Sequence, residues 1–232
     1  MISIKNLKKT YRGVTAVDIE NLEINAGEVI GLVGNNGAGK TTFFRLLLDL
    51  IRATEGEILS KGKLVTATED WKTYTAAYID EGFLIDYLTP EEYFYFVGKI
   101  NALSTADVDD FLESFSGFFD GSILKKGKFI RDFSKGNQFK IGIVAALLTK
   151  PELLILDEPF ANLDPTTQLR LVDMIKEMAI KNNLCIIVSS HDISQVSEVS
   201  SRILLMEKGK IIMDIIGGEA AYNQMIDYFK VK

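Results

Sequence analysis

Two periods of hydrophobicity alternate along this chain. Near the start, Ile2-Ser3-Ile4-Lys5-Asn6-Leu7 and Val17-Asp18-Ile19-Glu20-Asn21-Leu22-Glu23-Ile24 place apolar residues at every second position for much of their length, which predicts half-buried strands. The turn Asn25-Ala26-Gly27-Glu28 leads into Val29-Ile30-Gly31-Leu32-Val33, an apolar run, and then into the helix-like Thr42 to Leu48. Glu57-Ile58-Leu59 and Leu64-Val65 flank Ser60-Lys61-Gly62-Lys63 and predict a hairpin. Further strands are expected at Ala76 to Ile79, Leu153 to Leu156 and Leu184 to Val188. The last two are continuous apolar runs, as strands buried on both faces are. Asp164 caps a helix over Pro165 to Ile180, Ile203 to Met206 and Ile211 to Met213 form a hairpin about Lys208-Gly209-Lys210, and a last helix covers Glu219 to Tyr228.

The middle has the other period. Thr89-Pro90-Glu91-Glu92 is a helix start, with Thr89 as N-cap, Pro90 at the first position and Glu92 closing a capping box. A second helix is predicted from Ser104-Thr105 to Gly117. Ten of the fourteen phenylalanines lie between Phe83 and Phe139, with Tyr87, Tyr93 and Tyr95. Such concentration predicts a helical lobe, about 83–149, inserted into an α/β core of about 1–82 and 150–232, all within one domain. Most of the aromatics would form the lobe's own core. A lobe this small has little interior, so some should be exposed and mark a docking surface. The expected class is α/β: a mostly parallel sheet, an N-terminal antiparallel β subdomain and an inserted α-helical subdomain.

Composition narrows the function classes. With 232 residues and 47% hydrophobic content a sizeable core is possible. The longest apolar run, Ile141 to Leu148, is far below the ~18 residues that span a bilayer. Met1 to Lys5 lacks the features of a signal peptide, and Cys185 is alone, so a cytosolic location is the default expectation. Net charge is −6, with lysines in short clusters only, which argues against a nucleic-acid binder.

The chemistry begins at Gly34-Asn35-Asn36-Gly37-Ala38-Gly39-Lys40-Thr41, followed by Thr42. It fits the phosphate-binding pattern G-x-x-x-x-G-K-[ST] and sits between a strand and a helix, as that pattern requires. Backbone N–H groups and the helix N-terminus build an anion cradle. Lys40 can reach the β- and γ-phosphates, and the Thr41 hydroxyl can ligate Mg²⁺. Leu153-Leu154-Ile155-Leu156-Asp157-Glu158-Pro159 places Asp157 at the carboxyl end of a buried strand, where open α/β sheets put ligands. Asp157 suits the Mg²⁺ shell and Glu158 can polarise an attacking water. Two carboxylates beside a polyphosphate imply a metal. Phe133-Ser134-Lys135-Gly136-Asn137 precedes the apolar helix Ile141 to Leu148. Ser134 reads as an ordinary N-cap, though a serine and a glycine at a helix start also make an anion site.

In this order, with Asn162-Leu163-Asp164 and Ser189-Ser190-His191-Asp192, the motifs resemble the nucleotide-binding domain of ATP-binding cassette (ABC) proteins, from Tyr11 to the hairpin after Met206. The resemblance implies ATP and Mg²⁺ as cofactors, with Ser134, Gly136 and Asn137 in the signature motif that meets ATP on a second subunit. That motif usually reads Leu-Ser-Gly-Gly-Gln, so Lys135 and Asn137 depart from it. The resemblance also implies adenine stacking on Tyr11 and γ-phosphate contact by His191. Asn162-Leu163-Asp164 corresponds to the loop that links two sites across a dimer, and Glu81 stands where the family usually has a metal-contacting glutamine. Two such domains would pair head to tail as a homo- or heterodimer and dock on a separate membrane permease, at the inner face of the cell membrane. The Phe-Ser-Lys-Gly-Asn variant is similar to bacterial exporter ATPases of the drug and bacitracin-resistance type. Two other readings stand beside this one: a soluble ATPase of the same family in assembly or repair, and a regulatory module that binds ATP without turnover.

Overall fold

The computed structural model describes residues 1–79, 81–161, 163–217 and 219–230. The expected role of Asn162 and the metal contact expected of the Glu81 side chain lie outside the described residues. Strands β1 (Ile2–Tyr11), β2 (Val14–Ile24), β4 (Glu55–Ser60) and β5 (Lys63–Leu64) form an antiparallel sheet in the order β2-β1-β4-β5. A second sheet holds β3 (Val29–Val33), β6 (Thr75–Tyr78), β7 (Leu153–Leu156), β8 (Cys185–Ser190), β9 (Arg202–Glu207) and β10 (Lys210–Ile216). Its order is β10-β9-β3-β8-β7-β6, parallel throughout except for β10. The fold class is the expected one.

The continuous apolar runs are explained by burial on both faces. In β7, Leu153 and Ile155 face the core beneath the antiparallel sheet, while Leu154 and Leu156 face the opposite core. In β8, Cys185 and Ile187 face the first, and Ile186 and Val188 the second. Helix α1 (Lys40–Leu47) packs Phe43 and Phe44 into the first core.

Between β6 and β7 the chain forms α2 (Pro90–Ile100), α3 (Thr105–Ser114), α4 (Ser116–Phe119) and α5 (Lys135–Leu148). Both α2 and α3 carry full capping boxes, Thr89 with Glu92 and Ser104 with Asp107. The single helix expected to run to Gly117 is instead two. The helix breaks at Phe115, with φ −100° and ψ 8°, where Ser114, Ser116 and Gly117 offer little helix propensity. The aromatic residues do not have an interior of their own, as the sequence suggested. Phe94, Phe118, Phe119 and Phe139 belong to one cluster with Leu154, Leu156, Ile186 and Val188 of the sheet. Helix α5 crosses that face closely, since a Cβ on Gly142 would sit 2.1 Å from the Tyr78 ring. Phe83, Tyr87, Phe96 and Phe129 are exposed, as expected of a small lobe.

Asp164 caps α6 (Pro165–Asn182), which runs two residues past its expected end. Helices α7 (Ile193–Val199) and α8 (Glu219–Lys230) complete the chain. Among the described residues no helix is long and apolar enough to cross a membrane.

Candidate functional site

The loop between β3 and α1 is shaped by what surrounds it. Gly39 caps α1 at φ 111°, a conformation that side chains resist, and supplies no side-chain acceptor. Helices α2, α3, α5, α6 and α7 each start on a side-chain cap. Helix α1 starts on backbone amides with no such acceptor and no acidic residue in its first turn, which suits a bound anion. Asn35, Asn36 and Gly37 are exposed at the loop's tip, while Gly34 and Ala38 are buried beneath it. Gly34 has no room for a Cβ, which would lie 2.4 Å from the Met206 carbonyl oxygen.

Lys40 is 6% exposed. Its Nζ donates to the Gly34 carbonyl at 2.6 Å and lies 3.1 Å from Glu158 Oε1. The Thr41 hydroxyl donates to Asp157 Oδ2 at 2.5 Å. Register brings these partners together: β7 runs parallel to β8 with Leu156 opposite Val188, so Asp157 falls beside Ser189. The Ser189 hydroxyl donates a short hydrogen bond to Asp157 Oδ1 and accepts from the Glu158 N–H at 2.9 Å. Burial raises the Asp157 pKa above the ordinary carboxylate value, and the neighbouring Glu158 adds to the rise. The Ser189 and Thr41 hydroxyls and the Lys40 charge oppose it. Glu158 takes φ 50° immediately before Pro159, a costly backbone for a residue in that place. Its other oxygen, Oε2, lies 2.9 Å from His191 Nδ1 and accepts from the His191 backbone N–H at 3.3 Å.

The structure therefore brings Lys40, Thr41, Asp157, Glu158 and His191 to one place. Thr42 follows on α1. Tyr11 ends β1, 46% exposed, with Lys9 Nζ 4.9 Å from its ring centroid. Ser134, Gly136 and Asn137 gather instead at the start of α5, where Ser134 Oγ accepts from the Asn137 N–H at 3.3 Å. Two contributors were missed. Ser189 stands in the sequence only as part of a motif, though a buried hydroxyl next to the end of an apolar strand signals an obligatory partner. Gly209, between β9 and β10, donates its N–H to the Ala38 carbonyl at 2.8 Å and so buttresses the loop.

The donor set fits a magnesium–nucleotide complex. A hydroxyl and a carboxylate in contact offer the hard oxygen ligands that Mg²⁺ prefers, leaving further positions to phosphate and water.

A family model described as ABC transporter matches residues 17–161. The ABC transporter ATP-binding protein YhaQ of Bacillus subtilis (strain 168) is 34% identical over 217 residues, covering 92% of this chain and 70% of that protein. The bacitracin transport ATP-binding protein BcrA of Bacillus licheniformis is 32% identical over 218 residues, covering 93% and 69%. A solved ATP binding subunit of an ABC transporter matches at TM-score 0.85 and 25% identity, covering 100% of this chain and 98% of that one. The dimeric post-hydrolysis structure of the ATP-binding cassette MJ0796 bound to ADP and Pi matches in fold at TM-score 0.81 and 22% identity, covering 93% and 98%. The site geometry, the family match across more than half of the sequence and these relatives together make the chain a member of the ABC transporter family, an ABC transporter ATP-binding protein.

Proposed function

We propose that this chain binds and hydrolyses ATP to power transport through a separate membrane subunit, at the inner face of the cell membrane. The observation that carries the reading is the Lys40–Glu158–His191 chain beside the Thr41–Asp157 pair. Gly34, Asn35, Asn36, Gly37, Ala38 and Gly39 wrap the phosphates with backbone amides, Thr42 extends that cradle, and Tyr11 stacks on the adenine. Mg²⁺ on Thr41 and Asp157 supplies charge neutralisation to the phosphates when bound; the Glu81 position is proposed as a further ligand. Glu158 orients water in line with the γ-phosphate and accepts its proton, and His191 and Lys40 hold the oxygens that gain charge. Ser134, Gly136 and Asn137 face outward to complete the site of a second domain paired head to tail, from a helical lobe of about 83–149. ATP bound between the two domains stabilises their pairing by linkage.

A Glu158→Gln variant tests the reading. It should bind ATP and accumulate as a dimer, while phosphate release falls by about 10²-fold or more, the scale of a lost general base. Phosphate release by this variant at the wild-type rate would remove Glu158 from the role.

A further inference from the structure

We propose that Ser189 is a positioning residue for hydrolysis: its buried hydroxyl fixes the metal-facing Asp157 carboxylate and the Glu158 backbone together. The proposal rests on the function proposed above. Ser189 is 0% exposed, at the end of a strand whose other buried residues include Cys185, Ile186, Ile187 and Val188. A hydroxyl buried there costs free energy unless both its donor and its acceptor capacity are used. Here both are, on two consecutive residues. The hydroxyl hydrogen goes to Asp157 Oδ1, which leaves Oδ2 turned to Thr41 Oγ1 at 2.5 Å. The hydroxyl oxygen accepts from the Glu158 N–H at 2.9 Å.

That second bond holds a backbone that would not choose its own conformation. Glu158 precedes Pro159 and sits at φ 50°, so its amide must be fixed from outside. Fixing it aims the Glu158 side chain, which lies between Lys40 Nζ at 3.1 Å and His191 Nδ1 at 2.9 Å. One hydroxyl thus sets the orientation of the carboxylate that meets the metal and of the carboxylate that meets the water. An alanine or a valine would satisfy the strand's packing and supply neither bond. The adjacent Ser190 is a natural contrast, since its hydroxyl accepts from the Asp192 N–H at 3.0 Å.

The test measures manganese(II) binding by electron paramagnetic resonance on the full chain loaded with a non-hydrolysable ATP analogue, alongside ATPase kinetics. Ser189→Ala should weaken manganese affinity and lower kcat by about tenfold or more, the usual effect of removing a partner of a ligating carboxylate. Metal-free nucleotide affinity should stay within about twofold, and Ser189→Thr, which keeps the hydroxyl, should restore manganese affinity and kcat to within about threefold. Ser190→Ala should leave manganese affinity unchanged. Wild-type manganese affinity and kcat in Ser189→Ala would overturn the proposal. So would an equal loss in Ser190→Ala, or no rescue by a Ser189→Thr chain that melts like wild type. A wild-type chain that binds no nucleotide would instead overturn the proposed function itself.

Discussion

At the carboxyl ends of the parallel strands, Lys40, Thr41, Asp157, Glu158, Ser189 and His191 are tied to one another. At the start of α5, Ser134 is tied to its own helix and lies exposed. The first group is a set of opposite charges and paired hydroxyls that holds its shape without help. The second presents a capped helix N-terminus outward. Under the pairing proposed above, each chain would lend this helix start to the first group of its neighbour.

The largest effect expected is from Lys40→Ala. Removing the buried ammonium costs the phosphates a charge-assisted donor and leaves Glu158 without its counter-charge, so ATP affinity should fall by about 10²-fold; equilibrium titration with a fluorescent ATP analogue checks it. Ser134→Ala should next lower turnover by about tenfold or more, as loss of one donor to a developing charge does. Its loss as a cap should cost about 1 kcal/mol of stability. The comparison itself breaks or stands on mixing these two variants. A Lys40→Ala chain paired with a Ser134→Ala chain restores one intact composite site per dimer, so activity should reappear on mixing. No gain on mixing would mean that each chain completes its own site.

Gly142→Ala probes the seam between the two regions. The new methyl meets the Tyr78 ring, and an overpacked core of this kind costs about 1–3 kcal/mol, read as a lower Tm. The smallest effect should come from Cys185, on β8 in the sheet half. Burial pushes its thiol up to about 12 from an ordinary 9.0. Thiol reagents should therefore leave the native chain unlabelled at pH 8 and label it on unfolding. The unfolded chain loses this proton near 9.0 and the folded one near 12, so this group's contribution to stability falls as pH rises across that interval. A denaturation series from pH 8 to 11 measures it.

What could be read from sequence follows from how local each signal is. The phosphate loop, the capping box at Thr89, the helix start at Ser104 and the cap at Asp164 are written within a few residues, and all have the expected local form. The order of strands is not local. Nothing in Val29 to Val33 says that β3 lies between β8 and β9, because that depends on crossovers of a hundred residues and more. Register has the same character: Ser189 meets Asp157 through a pairing of β7 with β8 that no stretch of either strand announces. The break at Phe115 was hidden because the aromatics on both sides of it keep a helical spacing.

The seam between the two sheets has a consequence for which sequences this fold can tolerate. A Cβ on Gly39 would lie 2.4 Å from the Ala16 carbonyl oxygen, and one on Gly209 would lie 2.8 Å from the same atom. Strand β2, the end of the phosphate loop and the β9–β10 turn thus converge on a single backbone oxygen. A saturation library selected for ATPase activity should therefore be as empty at Gly209 as at Lys40.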